Sequence, residues 1–249
     1  MGRAIRPYNP PMPIELPTIY SDDSILAIDK SAGILSIPDH WDPEVADAVT
    51  ELKAAWGKLF VVHRLDKDTS GVLIFARSSE AHKAMSAAFE SRSVAKVYRA
   101  LVHGSPSWEE TGCDLPLSPD GDRLHRTIVD AHKGKPSSTF FTVVARYKDH
   151  ALIEARPTTG RTHQVRVHLA ALGHPCICDP FYGDGKPLLL SKLKKRWKGD
   201  PLDERPLMER AALHALSAEF PHPATGAILK LEAPLPKDMR ATISQLEKL

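Results

Sequence analysis

A chain of 249 residues, 42% of them hydrophobic, can bury one sizeable core and suits a single large domain with embellishments. No apolar run approaches membrane-spanning length and the N-terminus lacks a secretory apolar stretch, so a cytoplasmic protein is expected. A net charge of +2 excludes a chain wrapped in positive charge, and three cysteines exclude a disulfide framework.

Residues 1–17 are rich in proline and predict an irregular lead-in. Residues 25–28 predict a buried strand, with Gly33 turning the chain after it. Asp42-Pro43 predicts a helix start, and Val45, Val49, Leu52 and Trp56 follow at helical spacing up to Gly57. A strand over 71–76 precedes a helix from Ser79 to Ser91. Residues 95–103 alternate as a strand, and a loop over 105–134 holds a short hairpin. Strands over 138–146 and 150–156 pair through Lys148-Asp149. Thr162 is the expected cap of a helix with Val165, Leu169 and Leu172 on one face, stopped by Gly173. Residues 184–210 form a charged insertion, and a hairpin over 213–220 and 227–233 follows. Strands dominate and helices are irregularly interspersed, which predicts an α+β class. Cys176 and Cys178 form a lone Cys-x-Cys with Cys113 far off, an incomplete set for a metal.

Three runs carry chemistry. His63-Arg64-Leu65-Asp66-Lys67-Asp68-Thr69-Ser70-Gly71 is a polar turn that places a carboxylate at the edge of the apolar strand 71–76. Such a rigid setting suits a reactive group, although Asp is also an ordinary turn residue. The second run is Arg156-Pro157-Thr158-Thr159-Gly160-Arg161-Thr162-His163-Gln164-Val165-Arg166-Val167-His168-Leu169. The third is Lys96-Val97-Tyr98-Arg99-Ala100-Leu101-Val102-His103-Gly104. With Gly173-His174-Pro175, Phe181-Tyr182-Gly183 and Leu213-His214-Ala215 beside them, these runs resemble the RluA family of pseudouridine synthases over nearly the whole chain.

The resemblance implies the pseudouridine synthase fold, a long mixed, mainly antiparallel sheet with helices and loops around a central cleft. Residues 1–249 are then one catalytic domain. In the family, RNA-binding domains of the S4 type often precede the sheet. Only about twenty residues precede the first core strand here, so no S4 domain is expected and RNA selection falls to the catalytic domain. The implied reaction isomerises specific uridines to pseudouridine in structured RNA, in a stem-loop of 23S rRNA or of tRNA. It imports no group and calls for no cofactor or metal. A monomer without an obligate protein partner is expected.

The resemblance centres the reaction on Asp66. As a nucleophile it would attack C1′ or C6; as a base it would take the 2′-proton and give a glycal. It assigns Arg161 as the cation that keeps Asp66 ionised by a forked contact. Tyr98 is set against the target base, where it stacks and assists proton removal at C5; a core aromatic is the plain alternative. Arg64 is assigned to the RNA, at the position vacated by the flipped uridine. Leu213 is an aliphatic wall of the base pocket, or simply strand core. Gln164 and Arg166 contact phosphate or brace the active-site loop. Lys192, Lys194, Lys195 and Arg196 crowd one segment of the insertion and fit either phosphate contacts or a solvated loop. Two positions depart from the family pattern, Ser31 in place of Pro and Cys178 in place of Gly. An inert RNA-binding relative would show decay at Asp66, Tyr98 or Arg161, and all three are present.

Overall fold

The computed structural model describes residues 15–249. Residues 1–14 of the expected lead-in therefore lie outside the described residues, and residues 15–17 carry no regular structure. Twelve strands follow: β1 Thr18–Ser21, β2 Ile25–Lys30, β3 Phe60–Val61, β4 Ser70–Ala76, β5 Ala95–His103, β6 Glu110–Cys113, β7 Leu117–Ser118, β8 Ile128–Val129, β9 Thr139–Arg146, β10 His150–Pro157, β11 Leu213–Pro221 and β12 Ile228–Glu232. The helices are α1 Ala48–Trp56, α2 Ser79–Glu90, α3 Gln164–Ala171, α4 Leu190–Leu193 and α5 Lys237–Leu246.

One ten-stranded sheet dominates, in the order β1-β2-β4-β11-β5-β10-β9-β6, with β12 on β11 and β3 on β4. Its pairings are antiparallel except β4 with β11, which run parallel. The α+β class and the mixed, mainly antiparallel sheet are thus as the sequence implied. No helix of the described residues is long and apolar enough to cross a membrane.

β4 shows why the apolar run after Gly71 is continuous. All seven of its residues are buried. Val72 and Ile74 face one core with Met85 of α2, while Leu73 and Phe75 face another with Ala48 and Leu52 of α1. A strand covered on both faces has no polar side to show. Gly71 sits at φ +113°, and a Cβ there would lie 2.1 Å from Ala215 O of β11. The parallel β4–β11 contact requires glycine at this point. It brings the start of β11 beside the end of the Asp66 loop.

Several element limits differ from the sequence-based expectation. α1 starts at Ala48, because Asp47 rather than Asp42 accepts the Thr50 N–H as cap. Ser78, not Ser79, caps α2. α3 has no side-chain cap; His163 precedes it in the left-handed conformation, φ +55°, in place of the expected Thr162. β1 and α5 were not anticipated, although Met239, Thr242 and Leu246 bury one face of α5. The insertion is not loose throughout. Leu188 bridges to Met208 and both are buried, which closes residues 184–210 on the core. Cys178, where glycine is usual in the family pattern, keeps a positive φ of +58°.

Candidate active site

The Asp66 loop is fixed from both sides by groups distant in sequence. Ser36 Oγ accepts the Leu65 N–H at 2.9 Å and donates to Leu65 O at 2.8 Å. On the far side the fully buried Lys30 donates to Ser31 O, Ile34 O and Lys67 O at 2.8–3.1 Å. Burial pulls the Lys30 ammonium down to about 7, against the fields of Asp68 and Asp66. Three carbonyls around one nitrogen nevertheless match the three hydrogens of an ammonium. Arg210 donates to Asp68 O at 2.9 Å and is itself held by Asp238 of α5. His63 opens the loop. Its Nε2 accepts the Ile74 N–H at 3.0 Å, its ring stacks on Phe89, and burial pulls it down to about 3. His63 is thus a neutral structural ring.

Asp66 emerges partly exposed from this frame, and the guanidinium facing it belongs to Arg166. Arg166 Nη1 lies 3.4 Å from Asp66 Oδ2. Its Nε and Nη2 each donate to Asp179 at 2.7 Å. Both Arg166 and Asp179 are buried. Burial opposes the Arg166 charge, yet its bonds to Asp179 and the fields of Asp179 and Asp66 raise its pKa. Asp179 is lowered despite burial, because Arg166 and the N–H groups of Phe181 and Tyr182 favour its charged form. The Arg166 guanidinium also lies over the rings of Phe181 and Tyr182. His163 completes the surround, with Nε2 3.9 Å from Asp66 Oδ2 and Nδ1 2.9 Å from Tyr182 Oη. Burial lowers its pKa against the pull of Asp66.

The placement corrects one expected pairing. Arg161 does not meet Asp66; its guanidinium donates to Pro136 O at 3.2–3.3 Å. Gln164 is held inside the wall of the cleft by its own hydrogen bonds. It is buried, accepts the Arg161 N–H and Thr159 hydroxyl, and donates to Ser138 O and Thr139 Oγ1. Of the two roles weighed for it, bracing is the one the contacts fit. Arg166 faces the carboxylate rather than solvent.

Asp66, Tyr98, Arg64, Arg161, Gln164 and Leu213 all line one cleft of about 720 Å³. Tyr98 projects from β5, which pairs with β11 at Ala215. Burial and the Asp66 charge raise its phenol well above the usual range. Leu213 is both wall and core, packed in the cluster with Ala100 and Val165. Arg64 is exposed at the rim. Lys192, Lys195 and Arg196 are exposed and Lys194 half-buried, and none of them lines the cleft. The sequence gives no role to Asp179, Lys30 or Arg210, and it predicts a structural role for His163. Phe181-Tyr182-Gly183 gave a signal for Asp179; nothing local marked Lys30 or Arg210, whose contacts span 37 and 142 residues.

A model of the RNA pseudouridylate synthase family matches residues 24–171. The chain is 36% identical over 248 residues to ribosomal large subunit pseudouridine synthase D of Pseudomonas aeruginosa, covering 94% of this chain and 73% of that protein. It is 33% identical over 232 residues to the dual-specificity RNA pseudouridine synthase RluA of Pasteurella multocida, covering 93% and 98%. The fold is similar to that of human RNA pseudouridylate synthase domain containing 4, with a TM-score of 0.70 at 22% identity over 93% of each chain. A mixed sheet with a carboxylate loop at its centre and this similarity define an RNA-modifying isomerase. The chain belongs to the RNA pseudouridylate synthase family, and relatives it matches over most of its length include ribosomal large subunit pseudouridine synthase D and RluA.

Proposed function

We propose that this protein isomerises specific uridines of a structured RNA, with Asp66 as the group that acts at the glycosidic bond. The observation that carries this is the Asp66–Arg166–Asp179 chain opening onto a cleft walled by Tyr98 and Leu213. The reaction breaks the C1′–N1 bond, turns the uracil and joins C5 to C1′, so atoms and electrons balance within the substrate. Arg166 faces the Asp66 carboxylate at 3.4 Å and orients it. The carboxylate can serve as nucleophile or as base toward the 2′-proton. Tyr98 offers its ring to the base. Arg161 is a rim residue in this reading and Arg64 an RNA contact. The uridine must leave its stack to enter, at a cost of a few kcal/mol.

One relative's name points to the large ribosomal subunit and the other's to dual specificity among RNAs, which supports a structured-RNA target; a stem-loop of 23S rRNA or of tRNA is the proposed substrate. A cytoplasmic monomer without protein partner is part of the proposal. The test is purified protein on transcribed 23S rRNA and tRNA, following tritium release from C5-labelled uridine. Release by wild type and none by Asp66→Ala supports the assignment. Release by Asp66→Ala at the wild-type rate would overturn it.

A further inference from the structure

The active-site cleft does not end at Thr159. A second groove of about 370 Å³ adjoins it, sharing Arg92 and Thr159 and walled beyond them by Pro116, Pro136, Ser137 and Ser138. Three cations stand around the Thr159–Gly160 ridge between the two. Lys96, two residues before Tyr98 on β5, reaches the ridge with Nζ 3.3 Å from Thr159 O. Arg161 leans across to Pro136 O, on the wall of the second groove. Arg92 lines both spaces and is exposed. Among the described residues, none of the three enters an ion pair, whereas Arg99, Arg126, Arg146, Arg166 and Arg210 all do. The one carboxylate lining the second groove is Asp114.

Arg92 adds an independent observation. It follows the C-cap of α2 with φ +62°, at the left-handed position where helices commonly place glycine. A large side chain is strained there, and glycine would end the helix without that strain. The arginine contributes nothing to helix closure that its backbone does not already provide through the Arg92 N–H to Phe89 O bond. What it adds is a cation at the junction of two grooves.

We infer that the RNA strand next to the reacting uridine leaves the catalytic cleft over the Thr159–Gly160 ridge, its phosphates on Lys96, Arg92 and Arg161 and the adjoining nucleotide in the second groove. The unpaired cations await phosphate, and the prolines give the nucleotide an apolar wall. Burial also lowers the Lys96 pKa, and a phosphate seated there would favour its charged form. This inference rests on the proposed function, and it extends the substrate contact from one uridine to its neighbour.

The test is binding of a fluorescein-labelled RNA stem-loop with a uridine-containing loop, by anisotropy across a salt series. The proteins are wild type, Arg92→Gly and Lys96→Met. Each variant is expected to reduce the slope of log Kd against log salt by about 0.7, the release expected per phosphate on a single strand. Arg92→Gly should do so with Tm equal to wild type or higher, since strain is removed. KM should rise more than kcat falls. Slopes equal to wild type in Arg92→Gly would overturn the inference, whether or not Lys96→Met folds. Wild type that binds the RNA yet isomerises no uridine in any transcript would instead overturn the functional reading.

Discussion

Arg166 grips Asp179 through two hydrogen bonds of 2.7 Å and has one nitrogen left for Asp66, at 3.4 Å. The fork is spent on a residue that does not line the cleft, so Asp179 decides where the cation beside Asp66 stands. Asp179→Asn keeps the volume and removes the charge. It should destabilise the protein by about 3–5 kcal/mol, the usual result of leaving one half of a buried pair. In the folded fraction, kcat should fall by about 100-fold, as small misplacements of a catalytic contact do. Urea unfolding and single-turnover rates check this. A folded variant with the wild-type rate would separate Asp179 from catalysis.

Lys30 ties the turn after β2 to the carbonyl next to Asp66. Lys30→Met fills similar space but leaves buried carbonyls without a donor, at about 1–3 kcal/mol for each. Because Lys67 O is released, the Asp66 turn should loosen, lowering kcat more than it raises KM. Hydrogen exchange at residues 65–69 would register the loosening. Unchanged exchange alongside lowered stability would confine Lys30 to packing.

The buried histidines make stability depend on pH. Burial pulls His214 down to about 4, so the ring is neutral near pH 7; Nε2 then donates to Ala233 O and Nδ1 accepts from Ser70 Oγ. His63 is pulled down to about 3. Both folded values lie below the unfolded value of about 6.5. Their contribution is therefore complete above pH 6.5 and is lost as pH falls toward 4, where the unfolded chain binds more protons. The two rings should make urea midpoints drop between pH 6.5 and 4. His214→Asn should flatten that drop. A variant with the same pH profile as wild type would contradict the neutral assignment.

The basic segment gives a prediction separate from the groove. Lys192 on α4 and Lys195 and Arg196 just after it are exposed and lie outside the cleft. Replacing all three by Ser should weaken RNA binding and lower its salt slope by about 0.7–0.9 per cation, with single-turnover chemistry on saturating RNA unchanged. Binding that keeps its wild-type salt slope would leave this segment a solvated loop.

How much of this was legible depended on sequence distance. The strands over 95–103, 138–146 and 150–156 were legible because their alternation is local, and they stand within a residue or so of β5, β9 and β10. The carboxylate turn was legible because Asp66 and β4 are contiguous. The cation facing Asp66 was not. Arg161 and Arg166 share one run, and only the left-handed turn at His163 and the start of α3 decide which guanidinium faces Asp66. The start of α1 was misplaced because Asp42 and Asp47 are both credible caps, and the Thr50 N–H selects Asp47. Asp179 remained hidden because its meaning lies in a pairing with Arg166, thirteen residues away.

The central claim is that Asp66 performs the isomerisation. Its most direct measurement maps pseudouridines at single-site resolution, by carbodiimide-stop sequencing, in total RNA from a strain lacking this gene. The strain is complemented with wild-type protein or with Asp66→Ala. The account predicts one or a few sites that vanish in the deletion, return with wild type and stay absent with Asp66→Ala. Sites restored equally by both proteins would contradict it.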